Sequence, residues 1–267
     1  MRLLSPAQIH RFPPPKWLVR NILLHHSFGE LYGPPGIGKS FLALDLAHSV
    51  GTGIQWLDND VEQGSVVYVV AGEGVYGVRK RLEAWEHRRK LRVEHVKYLC
   101  EAVQLHQAHS VQKFRKAIRH EHPKLIVFDT LARCTAGADE NTGKDMGGIV
   151  GAIDALRDDF DTAVLVVHHT GRPNAEGETH DRGWSGLPGA LDMQMEVVLD
   201  QGRCRTIWCR KQKEARDFYP IHCELREVAK RGDVVSLVPE PSLRPITETA
   251  RGVPRTPPVP YSKWRHR

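Results

Sequence analysis

Gly33-Pro34-Pro35-Gly36-Ile37-Gly38-Lys39-Ser40 is the stretch from which the rest of the chain can be read. It fits the pattern G-x-x-x-x-G-K-[ST], whose glycines let successive backbone N–H groups converge on phosphate oxygens. In that pattern the lysine, here Lys39, reaches the terminal phosphates of a nucleotide, and the hydroxyl of Ser40 ligates magnesium. Phe41, the next residue, completes the candidate nucleotide-binding run. The motif needs a strand before it and a helix after it. Phe28 to Tyr32 is a candidate strand, and Lys39 to Val50 has helical period, so the context agrees with the pattern. An ordinary Gly-rich turn is the competing reading, and the flanking elements weigh against it. ATP and Mg2+ are the expected cofactors.

Outward from this loop, short β-branched runs alternate with longer segments of helical period. Strands are expected at Phe28 to Tyr32, Ser65 to Val70, Val96 to Cys100, Leu125 to Asp129 and Ala163 to His168. Helices are expected at Lys39 to Val50, Tyr76 to Lys90, Val111 to His120 and Lys144 to Asp159. Alternation of this kind gives right-handed crossovers and a parallel sheet covered on both faces. After Gly189 the runs Gln194 to Leu199, Thr206 to Lys211 and Phe218 to Leu225 are spaced for hairpins, so antiparallel edge strands are expected there. The fold class is α/β, with a central, mostly parallel sheet flanked by helices.

A phosphate cradle hydrolyses nothing by itself. Lys124-Leu-Ile-Val-Phe-Asp129 is an apolar strand ending in an acid, and Asp129 is a candidate magnesium ligand alongside Ser40, a turn cap being the bland alternative. The strand Val66 to Val70 runs into Ala71-Gly72-Glu73-Gly74, which leaves a carboxylate at the carboxyl edge of the sheet, where α/β proteins bind ligands. Glu73 is therefore the candidate general base; its alternative role is an acid favouring the dipole of the next helix. A further strand ends in His168-His169, two imidazoles able to sense a γ phosphate or simply to satisfy neighbouring polar groups.

Composition sets the outer bounds. A chain of 267 residues with 40% hydrophobic and 26% charged residues has the material for one large domain with a sizeable core. No apolar run approaches membrane-spanning length and the N-terminus lacks a signal-peptide hydrophobic region, so a cytoplasmic protein with no membrane partner is expected. Five cysteines, without a CxxC pair, signal neither a disulfide framework nor a zinc site. The net charge of +6 is concentrated near the C-terminus, where six Lys or Arg against one Glu between Pro241 and Arg267 carry +5 of it. Three segments are expected: a lead-in over 1–24, an ATPase domain over 25–230, and a basic, Pro-rich, disordered tail over 231–267 that either binds DNA nonspecifically or merely solubilises.

The combination resembles the RepA-type hexameric replicative helicases of plasmids and phages, within the RecA-like P-loop ATPases. The resemblance runs from about Trp17 to Leu225. It rests on Pro15-Lys-Trp17, Gly33 to Ser40, Phe41-Leu-Ala-Leu-Asp-Leu-Ala47, the run from Gly64 to Gly74 containing Glu73, Arg81-Leu-Glu-Ala84, Phe128-Asp129-Thr-Leu131, His168-His-Thr-Gly171 and Arg182-Gly183. It implies a RecA-like fold, Glu73 as the catalytic base, and His169 rather than His168 as the γ-phosphate sensor. It also implies a homohexameric ring in which a basic residue of one subunit reaches its neighbour's nucleotide. Lys211 and Lys213 are the candidates in Arg210-Lys-Gln-Lys213, where Lys213 replaces the Arg of the commoner arrangement. A solvated strand end is the alternative.

Single-stranded DNA is the partner that the resemblance implies, with a replication initiator or primase as a further one. Two loops, Ala132 to Asp145 and Gly171 to Gly186, point to a DNA channel by the same resemblance; only the second, with Arg172, His180, Arg182 and Trp184, suits phosphate contact and base stacking. The helix from Tyr76 adds Arg79, Lys80, Arg81, Arg88, Arg89, Lys90 and Arg92, a face for DNA, a neighbouring subunit or solvent. The leading expectation is an ATP-driven DNA helicase. Its rivals are a RecA-like recombination mediator, a P-loop small-molecule kinase and a nucleotide-binding interaction protein.

Overall fold

The computed structural model describes residues 3–139, 142–169, 186–200, 203–230 and 233–242. A short helix α1 (Pro6–Ile9), capped by Ser5, precedes an antiparallel ribbon of β1 (Trp17–Val19) and β2 (Leu23–Leu24). A crossover series follows: β3 (Phe28–Gly33), α2 (Lys39–Thr52), β4 (Val66–Val70), α3 (Val75–Arg89), β5 (Val96–Leu99), α4 (Ala108–Ile118), β6 (Leu125–Asp129), α5 (Leu131–Cys134), α6 (Gly143–Phe160) and β7 (Ala163–His169). Then α7 (Leu187–Ala190) leads into β8 (Met193–Leu199), β9 (Cys204–Gln212), β10 (Ile221–Lys230) and β11 (Asp233–Pro241). The main sheet has the order β11-β10-β9-β8-β3-β7-β6-β4-β5.

Strands β8, β3, β7, β6, β4 and β5 run parallel, and β9, β10 and β11 alternate in direction. The fold is that of a RecA-like P-loop NTPase: a mostly parallel α/β sheet with an antiparallel edge. Every residue of β3, β4 and β6 is buried, which is why these strands show no apolar–polar alternation; the buried acids Glu30 in β3 and Asp129 at the end of β6 are the exceptions to their apolar character. Two apolar clusters lie on the two faces of the sheet. One gathers Leu42, Leu46 and Val50 of α2 with Leu31, Tyr68, Val127 and Leu165, and the other gathers Phe114 of α4 and Ile149 and Ile153 of α6 with Phe28, Phe128 and Val166. Burying each such Val, Leu, Ile or Phe contributes about 1.5–3 kcal/mol, so the sandwiched strands fix the sheet edge on which the motifs end.

Three expectations change. The run Gln194 to Leu199, read as part of an antiparallel edge, does pair antiparallel with β9, but on its other side β8 also pairs in parallel with β3. The tail expected from residue 231 does not begin there: β11 occupies Asp233–Pro241, pairs with β10 and packs Val238 with Ala84 and Trp85 of α3. At the other end, Leu18, Val19, Ile22 and Leu23 of the supposed lead-in are part of the main core. Residues 243–267, which hold the basic run, lie outside the described residues, as does the second loop expected to face DNA.

Candidate nucleotide-binding site

The loop 33–38 passes from the end of β3 into α2 with the helix N-terminus uncapped by any side chain. Its glycines are dictated by backbone and space together. Gly38 has φ 103°, and a Cβ there would meet a Leu225 methyl at 2.7 Å and the Arg205 guanidinium nitrogen at 3.1 Å. Gly33 has φ 151°, and a Cβ would come within 2.5 Å of the Val197 carbonyl oxygen. Arg205 Nε also donates to the Ile37 carbonyl at 2.6 Å, so β9 supports the loop from its outer side. An uncapped helix start with converging N–H groups is a ready anion site.

Lys39 is buried, and its Nζ donates to the carbonyls of Gly33 at 2.7 Å and Pro34 at 2.8 Å. Burial lowers its pKa to about 8, against the opposing pull of Asp129. The loop's own carbonyls thus hold the ammonium where a phosphate would otherwise claim it. His169 Nδ1 stands 3.0 Å from the same Nζ. His168, by contrast, is buried with its Nδ1 2.8 Å from Glu30 Oε1, and Gln194 donates to the other Glu30 oxygen. Strand alternation sends the two histidines to opposite faces, and only His169 meets the loop.

Asp129 ends β6 between the neighbouring strand ends. Its Oδ1 accepts from Ser40 Oγ at 3.1 Å and its Oδ2 from Tyr68 OH at 2.8 Å. Burial pushes its carboxyl up from the usual range, opposed by these two hydrogen bonds. A buried carboxylate joined to a hydroxyl at the mouth of a phosphate loop is the oxygen donor set that Mg2+ takes, so the residues fit the metal. Tyr68 had no signal in the sequence beyond its place in a strand. Burial and the adjacent Asp129 hold its phenol well above its usual pKa, which keeps it a hydrogen-bond donor.

Glu73 follows β4 and sits at the same edge, half exposed, with its Oε1 accepting from Arg81 Nη2. The Arg81 guanidinium in turn lies 4.4 Å from the centre of the Phe41 ring, on the first turn of α2. Phe41 therefore enters the site through Arg81. Of the basic stretch of α3 and the residues after it, Arg79, Lys80, Arg88, Lys90 and Arg92 are exposed, with Arg79 paired to Glu83, Arg88 to Glu240 and Arg92 to Glu86, while Arg81 turns to Glu73 and Arg89 to Asp45 and the Pro239 carbonyl.

The site thus joins a phosphate loop, a strand-end acid bonded to the loop serine and a second acid one strand over. Residues 3–175, well over half of the chain, match the model of the AAA domain family. The chain belongs to the AAA domain family. As a member it is a P-loop ATPase that binds nucleotide, usually with Mg2+. The matched span ends before β8, so the AAA domain match covers Glu73, Asp129 and His169 but not Lys211 and Lys213.

Lys211 and Lys213 lie at the far edge of the sheet from the loop. Gln212, between them, pairs with Met193, which pairs with Gly29 near the start of β3, whereas the phosphate loop follows Gly33. Lys211 Nζ donates to the Gly189 carbonyl at 3.3 Å and also to the Pro188 carbonyl, and Lys213 Nζ pairs with Asp192 Oδ1 at 2.9 Å. Burial lowers the Lys211 pKa. Within one chain they do not meet the loop. No helix among the described residues is long and apolar enough to cross a membrane.

Proposed function

We propose that this AAA-family ATPase is a RepA-type motor: a ring of identical subunits that hydrolyses ATP to move along single-stranded DNA, serving plasmid, phage or mobile-element replication or repair. The observation that carries the reading is the separation of Lys211 and Lys213 from the phosphate loop by the length of β3, about 13 Å at 3.3 Å per residue between Gly29 and Gly33. If a cation at that edge serves a nucleotide, the nucleotide is a neighbour's, and this supports the reading of a ring or filament.

ATP with Mg2+ supplies the phosphoryl group and the charge that offsets its development. Lys39 exchanges the Gly33 and Pro34 carbonyls for phosphate oxygens, which favours its charged form again. Ser40 and Asp129 would hold the metal, with Tyr68 orienting the second Asp129 oxygen. His169, beside Lys39, is placed to register the terminal phosphate. Glu73 takes the proton of the attacking water once it leaves Arg81, and the freed guanidinium remains over Phe41.

The test is steady-state ATP hydrolysis with and without single-stranded DNA, with Lys39→Ala as the control for contaminating activity and negative-stain micrographs of the same samples. We expect stimulation by DNA that disappears in the control, closed rings, and a loss of about 10²–10⁴-fold in turnover for Glu73→Gln. Turnover indifferent to DNA overturns the DNA motor, and open helical filaments favour a recombination-type ATPase.

A further inference from the structure

Away from the phosphate loop, on the opposite face of the same antiparallel edge, three side chains of different chemistry converge. Asp200 directly follows β8, Cys204 begins β9 and His222 lies near the start of β10. One donor atom from each, a carboxylate oxygen, the sulfur and a ring nitrogen, lies within 4.8 Å of the others. The backbone makes this convergence. Asp200 N donates to the Cys204 carbonyl at 3.0 Å, and His222 is the direct cross-strand partner of Thr206, two residues along from Cys204 on the same face. Cys204 is buried, and Asp200 and His222 are half-buried.

Thr206, fully buried, ties the group together. Its hydroxyl donates to Asp200 Oδ2 and lies 2.9 Å from His222 Nδ1, so a single side chain orients both outer members of the trio. Metal sites are built this way, with an outer hydrogen-bonding group fixing the ligands. A donor set of thiolate, imidazole and carboxylate is neither that of Mg2+ nor that of Ca2+. It is that of Zn2+, which takes sulfur at about 2.3 Å and nitrogen and oxygen at about 2.0–2.2 Å in tetrahedral geometry. Bonds of those lengths place donors about 3.3–3.8 Å apart, so closing around an ion requires shifts of an ångström or less.

We propose that Asp200, Cys204 and His222 form a binding site for a zinc-class divalent ion, with the fourth position left to water, and that Thr206 is its positioning residue. The site has a mechanical consequence. Arg205, between Cys204 and Thr206 and pointing to the other face, holds the Ile37 carbonyl of the phosphate loop at 2.6 Å. An ion that pins Cys204 to Asp200 and His222 therefore stiffens the strand that supports the loop. This inference stands apart from the motor reading, since it uses none of the same residues.

The full chain, freed of metal, is titrated with Co2+ and with Zn2+. We expect one equivalent of Co2+ to produce a thiolate-to-cobalt charge-transfer band, displaced by Zn2+ and not by Mg2+, and Zn2+ to raise the melting temperature. Cys204→Ser abolishes the band. Thr206→Val, which keeps the shape and removes the hydroxyl, weakens Zn2+ binding about 10–100-fold. Far-ultraviolet circular dichroism of both variants without metal reports whether the fold is retained, and His222→Gln replaces either one that fails. A protein that binds neither ion, or a band that survives in Cys204→Ser through another cysteine, overturns the site. ATP turnover enters none of these readouts.

Discussion

Lys39 carries two demands that a surface lysine never faces. Its ammonium is buried and bonded to two carbonyls of its own loop, and burial brings its pKa down to about 8. Phosphate oxygens reward only the charged form. The nucleotide-free protein therefore binds ATP best below about pH 8, and the affinity falls as pH rises through that value, toward tenfold per unit, because more of the population must first take up a proton. Equilibrium titration with a fluorescent ATP analogue from pH 6.5 to 9.5 checks this. An affinity flat to pH 9.5 would mean that the loop carbonyls stabilise the ammonium enough to offset its burial. The same residue shows what sequence can and cannot convey. Lys39 was legible from the motif; its neighbour His169 was separable from His168 only through the family resemblance until strand alternation put one on the loop and the other on buried Glu30.

At the scale of elements, α2, α3 and β11 meet around a buried carboxylate. Asp45 of α2 is buried, accepts from Trp85 Nε1 of α3 at 2.7 Å, and lies 3.4 Å from Arg89, whose guanidinium also donates to the Pro239 carbonyl of β11. Burial raises the Asp45 pKa to about 6, opposed by Arg89 and Trp85. The folded carboxyl thus holds its proton more tightly than the unfolded one, and this contribution to stability is present below about pH 4 and lost as pH rises through about 6. Trp85→Phe removes the donor and keeps the ring. At pH 7, where the carboxylate is charged, we expect it to cost about 1–3 kcal/mol in urea unfolding. At pH 4 the penalty should shrink by roughly half, since the bond is no longer assisted by charge. An equal penalty at both values would locate the effect in packing. The triangle leaves no signal in the sequence, where the residues of β11 read as tail: its Pro and Glu residues suit an edge strand but also a linker, and only pairing with β10 decides between them.

The whole molecule places its two candidate catalytic edges apart. Phosphate loop, Glu73, Asp129 and His169 stand at the carboxyl ends of the parallel strands, and Lys211 and Lys213 at the other end. If those lysines act between subunits, chains carrying Lys39→Ala and chains carrying Lys211→Ala with Lys213→Ala, each inactive alone, recover turnover when mixed. One kind of junction in the mixed assembly then has an intact loop facing intact lysines. We expect recovery of up to about a quarter of the wild-type rate for random mixing; none would confine Lys211 and Lys213 to their contacts with Pro188, Gly189 and Asp192.

The sequence by itself determined the phosphate loop, the crossover order through β7, and the acids at the ends of β4 and β6. Each of these follows from local chemistry: glycines where backbone must approach phosphate, apolar runs where both faces of a strand are covered, and polar residues where such a run stops. Only the tertiary structure decided that Arg81 turns inward to Glu73, that Tyr68 donates to Asp129, that β8 lies beside β3, and that Asp200, Cys204 and His222 share one face. Those relations join residues that are distant in sequence or on neighbouring strands. Their spacing carries no period, and the partner of a long polar side chain is set by which strand packs next to it.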